Sequence, residues 1–172
     1  NNDKGAGISI YVGQKRGNAS TSDFSPESLR TTVEAAYNIA RFTAEDDAAG
    51  LPDVEMLETQ PQDLKLFYPW QPSVADAIDI AQRCEAAAFA VDRRISNSDG
   101  ASVYAQQSHF IAANTRGFMG GYPYSRHMIS VAPIAGKGAN MQRDDWYSSQ
   151  RDPALLAKPE TVGRYAAERA LS

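Results

Sequence analysis

Phe118-Met119-Gly120-Gly121-Tyr122-Pro123-Tyr124-Ser125-Arg126-His127-Met128-Ile129-Ser130-Val131-Ala132-Pro133-Ile134 is the stretch on which the fold turns. It is rich in β-branched and aromatic residues and reads as one long strand, bent at Gly120-Gly121 and Pro123. Gly136-Lys137-Gly138 follows as a hairpin turn, and residues 140–149 return. Upstream, Ala101-Ser102-Val103-Tyr104-Ala105 alternates small or apolar with polar, and residues 110–113 read as a further strand. Residues 95–150 are therefore expected to form an antiparallel meander.

Helices flank it. Ser73, with Asp76 three residues on, has the form of a capping box. Ala77, Ile80, Ala81, Cys84, Ala87, Ala88 and Val91 then recur at helical spacing. This stripe is mostly alanine, so the helix can lie close to a sheet. Pro159 and Glu160 open a last helix, with Val162, Tyr165, Ala166 and Ala170 facing inward. At the other end, Gly7-Ile8-Ser9-Ile10-Tyr11-Val12 reads as a strand. A Gly/Lys turn over residues 13–17 and a polar return strand over 18–22 complete a hairpin. Ser25 and Pro26 suit the N-cap and first position of a helix carrying Leu29, Val33, Ala36, Tyr37 and Ala40 on one face.

The class expected is α+β, with antiparallel sheets and helices packed on one face. Three segments follow: 1–50, a hairpin and helix; 51–72, a connection; and 73–172, a helix, a meander and a helix. Within the connection, 64–68 is expected to be a short strand. Hairpin-then-helix order occurs twice, from Ile8-Ser9-Ile10 and again from Ile129-Ser130-Val131, as a duplicated unit would show.

With 172 residues, 42% hydrophobic and 22% charged, the chain can bury a core, which excludes wholesale disorder. No apolar run approaches the roughly 18 residues of a membrane helix. A net charge of −4 gives no basic footprint for nucleic acid. One cysteine, Cys84, allows no internal disulfide and fits a reducing cytosol. The chain begins without Met or a signal segment, and ends at Ser172 in a helical pattern, as part of a longer protein would.

Candidate chemistry is sparse. His109 and His127 belong to no HExxH or HxH pair, and a catalytic zinc needs about three protein ligands. His127 is expected to be a half-buried strand histidine hydrogen-bonded to a neighbour, and His109 to face solvent beside a turn. Cys84 reads as a small core residue. The glycines of 116–122 lack the strand-to-helix setting of a dinucleotide loop. The densest cluster is Arg143-Asp144-Asp145-Trp146-Tyr147. In a strand, Arg143, Asp145 and Tyr147 would share one face. Either an ion pair blunting an edge or a strand that captures a peptide or partner would explain it.

Several segments occur in the order and spacing of a known family. They are Lys15-Arg16-Gly17-Asn18-Ala19-Ser20, Asp23-Phe24-Ser25-Pro26, Ile95-Ser96-Asn97-Ser98-Asp99-Gly100-Ala101-Ser102, Ala113-Asn114-Thr115-Arg116-Gly117-Phe118, Tyr124-Ser125-Arg126-His127 and Met141-Gln142-Arg143-Asp144-Asp145-Trp146-Tyr147. Together they resemble the N-terminal portion of the TldD/PmbA family, on the PmbA (TldE) side. The resemblance implies a cytosolic, zinc-dependent peptidase assembly in which a TldD-like partner carries HExxH in its C-terminal portion. That zinc would polarise the scissile carbonyl and activate water. No catalytic residue and no metal ligand carries over to this chain. Its implied work is to shape the chamber and hold partner or peptide, with Arg126, His127, Arg143, Asp144 and Tyr147 as the residues in contact. The partner would be a TldD-like subunit or a second copy of the chain. The family's other label, modulator of DNA gyrase, finds no support in the acidic charge. A non-enzymatic peptide- or protein-binding module is the alternative; HExxH downstream would instead mark a self-sufficient TldD-like peptidase.

Overall fold

The computed structural model describes residues 2–172; Asn1, the first residue of the expected 1–50 segment, lies outside them. The chain divides into two compact units. One holds the residues up to Thr59 together with Ala113–Phe118, and the other holds Gln60–Ala112 and Met119–Ser172.

In the first unit, β1 (Ala6–Val12) and β2 (Lys15–Thr21) pair antiparallel, with Val12 opposite Lys15. The turn is thus only Gly13-Gln14, and Gly13 supplies the positive φ that a two-residue hairpin demands. Helix α1 (Pro26–Phe42) starts where Ser25 Oγ accepts the Ser28 amide. Thr32, Ala36 and Ala40 are its buried positions, four residues apart. Gly17 lets it approach closely, since a Cβ there would run into the Ala36 carbonyl. Val33 and Tyr37, expected on the inner face, are exposed. A two-stranded sheet is only about 5 Å between strand axes, so it covers a narrower stripe than the sequence pattern offers.

In the second unit, α2 (Val74–Phe89) begins with both halves of the Ser73–Asp76 capping box in place. Strands β3 (Ile95–Ala113) and β4 (Met119–Ala135) form one long hairpin. It is tied at the base by Gly136 N–H to the Arg94 carbonyl (2.8 Å), and its turn, in the residues 113–118 grouped with the first unit, is closed by Asn114 N–H to the Phe118 carbonyl (2.9 Å). On the far side of β4 lie β5 (Gln142–Arg143), with Ile134 opposite Arg143, and β6 (Trp146–Gln150), with His127 opposite Gln150 and Ser130 opposite Tyr147. Central β4 alternates strictly. Ser125, His127, Ile129, Val131, Pro133 and Ala135 are buried, and the residues between are more open. The buried row meets α2 and α3 (Pro159–Ala170) in a core of Cys84, Ile129, Val131, Val162 and Ala166, continued by Ala88, Ile95, Ala135, Ala167 and Ala170. The alanine stripe of α2 serves its neighbour α3 more than the sheet. A Cβ at Gly163 would run into the Cys84 carbonyl. Arg83 also bridges from α2 to Glu160 at 2.7 Å.

Five further sequence expectations need correction. The strands placed at 101–105 and 110–113 are one strand, β3, which pairs with β4 and runs through the polar 106–109 stretch. Residues 64–68 form no strand; they reach β4 mainly through side-chain hydrogen bonds. The 143–147 strand is broken, since Asp144-Asp145 separates β5 from β6. Tyr165 is exposed, and Val91 lies beyond the end of its helix.

Candidate functional site

Both helices of the second unit cover the face of β4 that carries Ile129 and Val131, so neither of them lies on the opposite face. The site is this open face. Alternation and register assemble it: Tyr122, Tyr124, Arg126, Met128 and Ile134 of β4 point outward, joined by Tyr147 opposite Ser130 and Arg143 opposite Ile134. From β3 come Tyr104, Gln106, Ser108 and Phe110. Tyr104 Oη donates to Gln106 Oε1, and Gln106 Nε2 donates to Ser108 Oγ, each at 3.1 Å. Phe110, Tyr122 and Tyr124 make a row of rings with centroids 5.6 and 6.2 Å apart. Tyr104, Phe110 and Tyr147 are 48%, 49% and 56% exposed. Such Tyr-rich surface combines a large contact area with a polar tip, as binding surfaces do.

Arg126 lies across this face, its Nε donating to Ser149 Oγ at 2.7 Å. Arg143 holds Asp99 at 2.7 Å with both side chains more than half exposed, so water screens the pair and it contributes little to stability. Asp144 turns away at the break and meets Arg169 of α3 at 2.9 Å. The Asp145 amide, and then Arg169, hold the Asp144 carboxyl below its ordinary pKa. Trp146 sits on the helix side, with Tyr165 at 6.0 Å and Arg169 over its ring.

His127 is not at the surface. It is fully buried, where the sequence suggested half-burial, and it offers no atom to a partner. Its Nε2 is 2.8 Å from the Tyr68 carbonyl, which only accepts, so Nε2 carries the proton. Nδ1 has no partner, and Trp70 stands edge-on to the ring at 5.4 Å. Next to it on the same face, buried Ser125 accepts the Tyr68 amide at 2.9 Å and donates to the Arg151 carbonyl at 2.9 Å. The two residues thus fasten the strap 66–70 to β4. Lys65, just before it, has a left-handed backbone (φ 52°), held by its amide and ammonium on Asp63. Between this strap and 121–123 lies a groove of about 650 Å³ lined by Leu64, Phe67 and Tyr68.

Of the five residues singled out from sequence, Arg126, Arg143 and Tyr147 share the open face; Asp144 and His127 do not. Sequence reasoning missed Tyr104, Phe110 and Tyr122, although the alternation that marks Tyr124 as outward also marks Tyr122. Nothing in the sequence signals that Ser125 and His127 hold a segment nearly sixty residues earlier.

Among the described residues, no three His, Cys, Asp or Glu side chains converge as a metal site would require. The two histidines are separated as well: His109 is exposed on β3 and His127 is buried on β4. These residues do not fit a zinc centre. No helix among them is long and apolar enough to cross a membrane.

Residues 67–172 match the family model of the PmbA/TldA metallopeptidase central domain, and residues 1–40 match domain 1 of PmbA/TldA metallopeptidases. The chain belongs to the PmbA/TldA metallopeptidase family. It is similar to the metalloprotease PmbA of Escherichia coli O157:H7, at 39% identity over all of this chain and 38% of that protein. It is also 36% identical to a PmbA homolog of Haemophilus influenzae, over 99% of this chain and 38% of the homolog. The chain thus spans about two fifths of the length of these curated relatives. A crystal structure from Bacteroides thetaiotaomicron, described as a candidate modulator of DNA gyrase, shares the fold. Its TM-score is 0.83 at 24% identity, over 97% of this chain and 39% of that one. TldE from Thermococcus kodakarensis also shares the fold, with a TM-score of 0.62 at 16% identity over 92% of this chain and 35% of that one.

Proposed function

We propose that this chain is the domain 1 and central-domain part of a PmbA/TldE-like subunit in a cytosolic, zinc-dependent peptidase that processes peptides. Its own role is to shape the chamber and to hold peptide or partner on the open sheet face, with the zinc carried elsewhere in the assembly. The partner is a TldD-like catalytic subunit or a second copy. The observation that carries the reading is the open face itself: an exposed Tyr- and Arg-bearing surface in a metallopeptidase family member whose described residues gather no metal ligands. Tyr and Arg are among the residue types enriched at binding hot spots.

The test is a reconstituted assembly of the longer protein with a TldD-like partner, assayed for peptide cleavage before and after metal removal. Replacing Arg143 or Tyr147 with Ala should lower cleavage or weaken assembly while stability stays within about 0.5 kcal/mol, as surface substitutions do. Normal cleavage and assembly by both variants would remove the open face from the mechanism. Assembly without any metal-dependent cleavage would favour a non-enzymatic binding module.

A further inference from the structure

β5 and β6 pair with β4 in one continuous register. Ile134 stands opposite Arg143 and Val131 opposite Trp146. Pro133 and Ala132 therefore fall opposite Asp144 and Asp145, where the strand is interrupted. Pro133 has no amide to donate, which accounts for the gap. The chain still crosses the gap in step, with neither slip nor bulge, although β5 is only two residues long. So short a strand cannot fix its own pleat. Arg169 supplies the hold from the helix side. Its Nη2 lies 3.2 and 2.9 Å from the two Asp144 carboxylate oxygens, and its guanidinium lies over the Trp146 ring at 5.5 Å. Asp144 Oδ1 also accepts the Asp145 amide at 2.8 Å, so the same carboxylate ties the backbone of the gap. Arg169 sits in the last turn of α3, where a cation meets the negative end of the helix.

We propose that Arg169 is a positioning residue for the open face: through Asp144 and Trp146 it sets Arg143 and Tyr147 where they hold peptide or partner. Residues 144 and 146 are alternate positions on one side of the strand. Gripping both turns 143 and 147 to the other side, because the side-chain period is two. The Arg143–Asp99 pair on the open face cannot do this work, since water screens it. The inference rests on the reading of the open face as the holding surface. It adds that this surface is set from behind, by a side chain of α3.

The experiment uses the longer protein. Hydrogen exchange across 142–148 reads the position without any ligand. Cleavage of a fluorogenic peptide by the assembly reconstituted with a TldD-like partner reads the consequence. Arg169→Met keeps an apolar stem against Trp146 and removes the charge; Asp144→Asn removes the charge from the other end. Each should speed exchange across 142–148 and raise KM about threefold or more with kcat unchanged, the small end of coupling within one network. Arg169→Lys, which keeps the charge, should recover part of the loss. In an Arg143→Ala/Tyr147→Ala background, Arg169→Met should add nothing to KM, because it acts through those two side chains; a merely destabilising change would add there as well. Arg83→Met, which loses only surface bridges to Asp79 and Glu160, should leave both readouts unchanged. Unchanged exchange in both Arg169→Met and Asp144→Asn would overturn the proposal. So would a KM rise that persists in the Arg143→Ala/Tyr147→Ala background. If Arg143→Ala/Tyr147→Ala by itself cleaves and assembles normally, the open-face reading fails instead, and the exchange result alone decides whether Arg169 sets the strand.

Discussion

Replacing Ser125 with Ala removes one oxygen from a fully buried position on the central strand, and the cost can be worked from its partners. The hydroxyl accepts the Tyr68 amide and donates to the Arg151 carbonyl. The Leu66 carbonyl, 3.3 Å from Oγ, keeps the Ser125 backbone amide at 3.0 Å and loses no necessary bond. Two backbone groups are thus left without their partners. Each unsatisfied buried group costs about 1–3 kcal/mol, and the methyl group left behind needs no hydrogen bond. A net loss of about 2–4 kcal/mol follows, concentrated where the strap 66–70 meets β4. Urea unfolding, followed by the fluorescence of Trp70 and Trp146, measures the total. Hydrogen exchange at the Tyr68 amide measures the local part, and should accelerate about thirtyfold for every 2 kcal/mol of local opening. Ser149→Ala, which loses only a contact with exposed Arg126, is the control and should stay within about 0.5 kcal/mol. If Ser125→Ala matches that control while the Tyr68 amide stays protected, Ser125 does not fasten the strap and the reasoning fails.

Two further outcomes follow from the core of the second unit. Gly163→Ala drives a methyl group into the Cys84 carbonyl, so α2 and α3 must separate. A loss of about 1–3 kcal/mol in a denaturant melt is expected, and an unchanged midpoint would show that the helices have room to spare. Burial, followed by the charges of Glu160 and Glu85, pushes the Cys84 thiol up from an ordinary 9.0 to about 11. The folded state therefore holds the thiol proton more tightly than the unfolded state does. The stability this confers is complete below pH 9 and lost as pH rises through 11. Native labelling of Cys84 should be slow and should speed up on unfolding. Cys84→Ala should flatten the alkaline decline; rapid native labelling would mean that α2 is turned the wrong way.

Local sequence determined much of this protein. The Ser73–Asp76 capping box, the Ser25-Pro26 helix start and the long strand through His127 were all legible, because caps, turns and period-two patterning act between residues close in the chain. The family was legible too, from ordered motifs spread along the chain. Inward and outward positions on β4 follow from alternation alone, which sets Arg126 and His127 on opposite faces although the sequence reading grouped them as contacts.

What only the tertiary structure decided depends on partners distant in sequence. Tyr37 fits an apolar stripe but stays exposed, because the two-stranded layer beneath α1 is narrower than the stripe, and Tyr165 is exposed beside the Trp146 ring. The 101–105 and 110–113 segments become one strand because β3 pairs with its neighbour β4, whatever the side chains of 106–109 prefer. Asp144 lies on the face opposite Arg143, as alternation alone would place it, but its partner Arg169 lies 25 residues on in α3. His127 is the clearest case. Its type and place suggested a contact residue, yet burial and the Tyr68 carbonyl make it a fastener beneath the sheet. A buried polar group takes its role from whichever backbone group satisfies it, and that group lies 59 residues away in sequence.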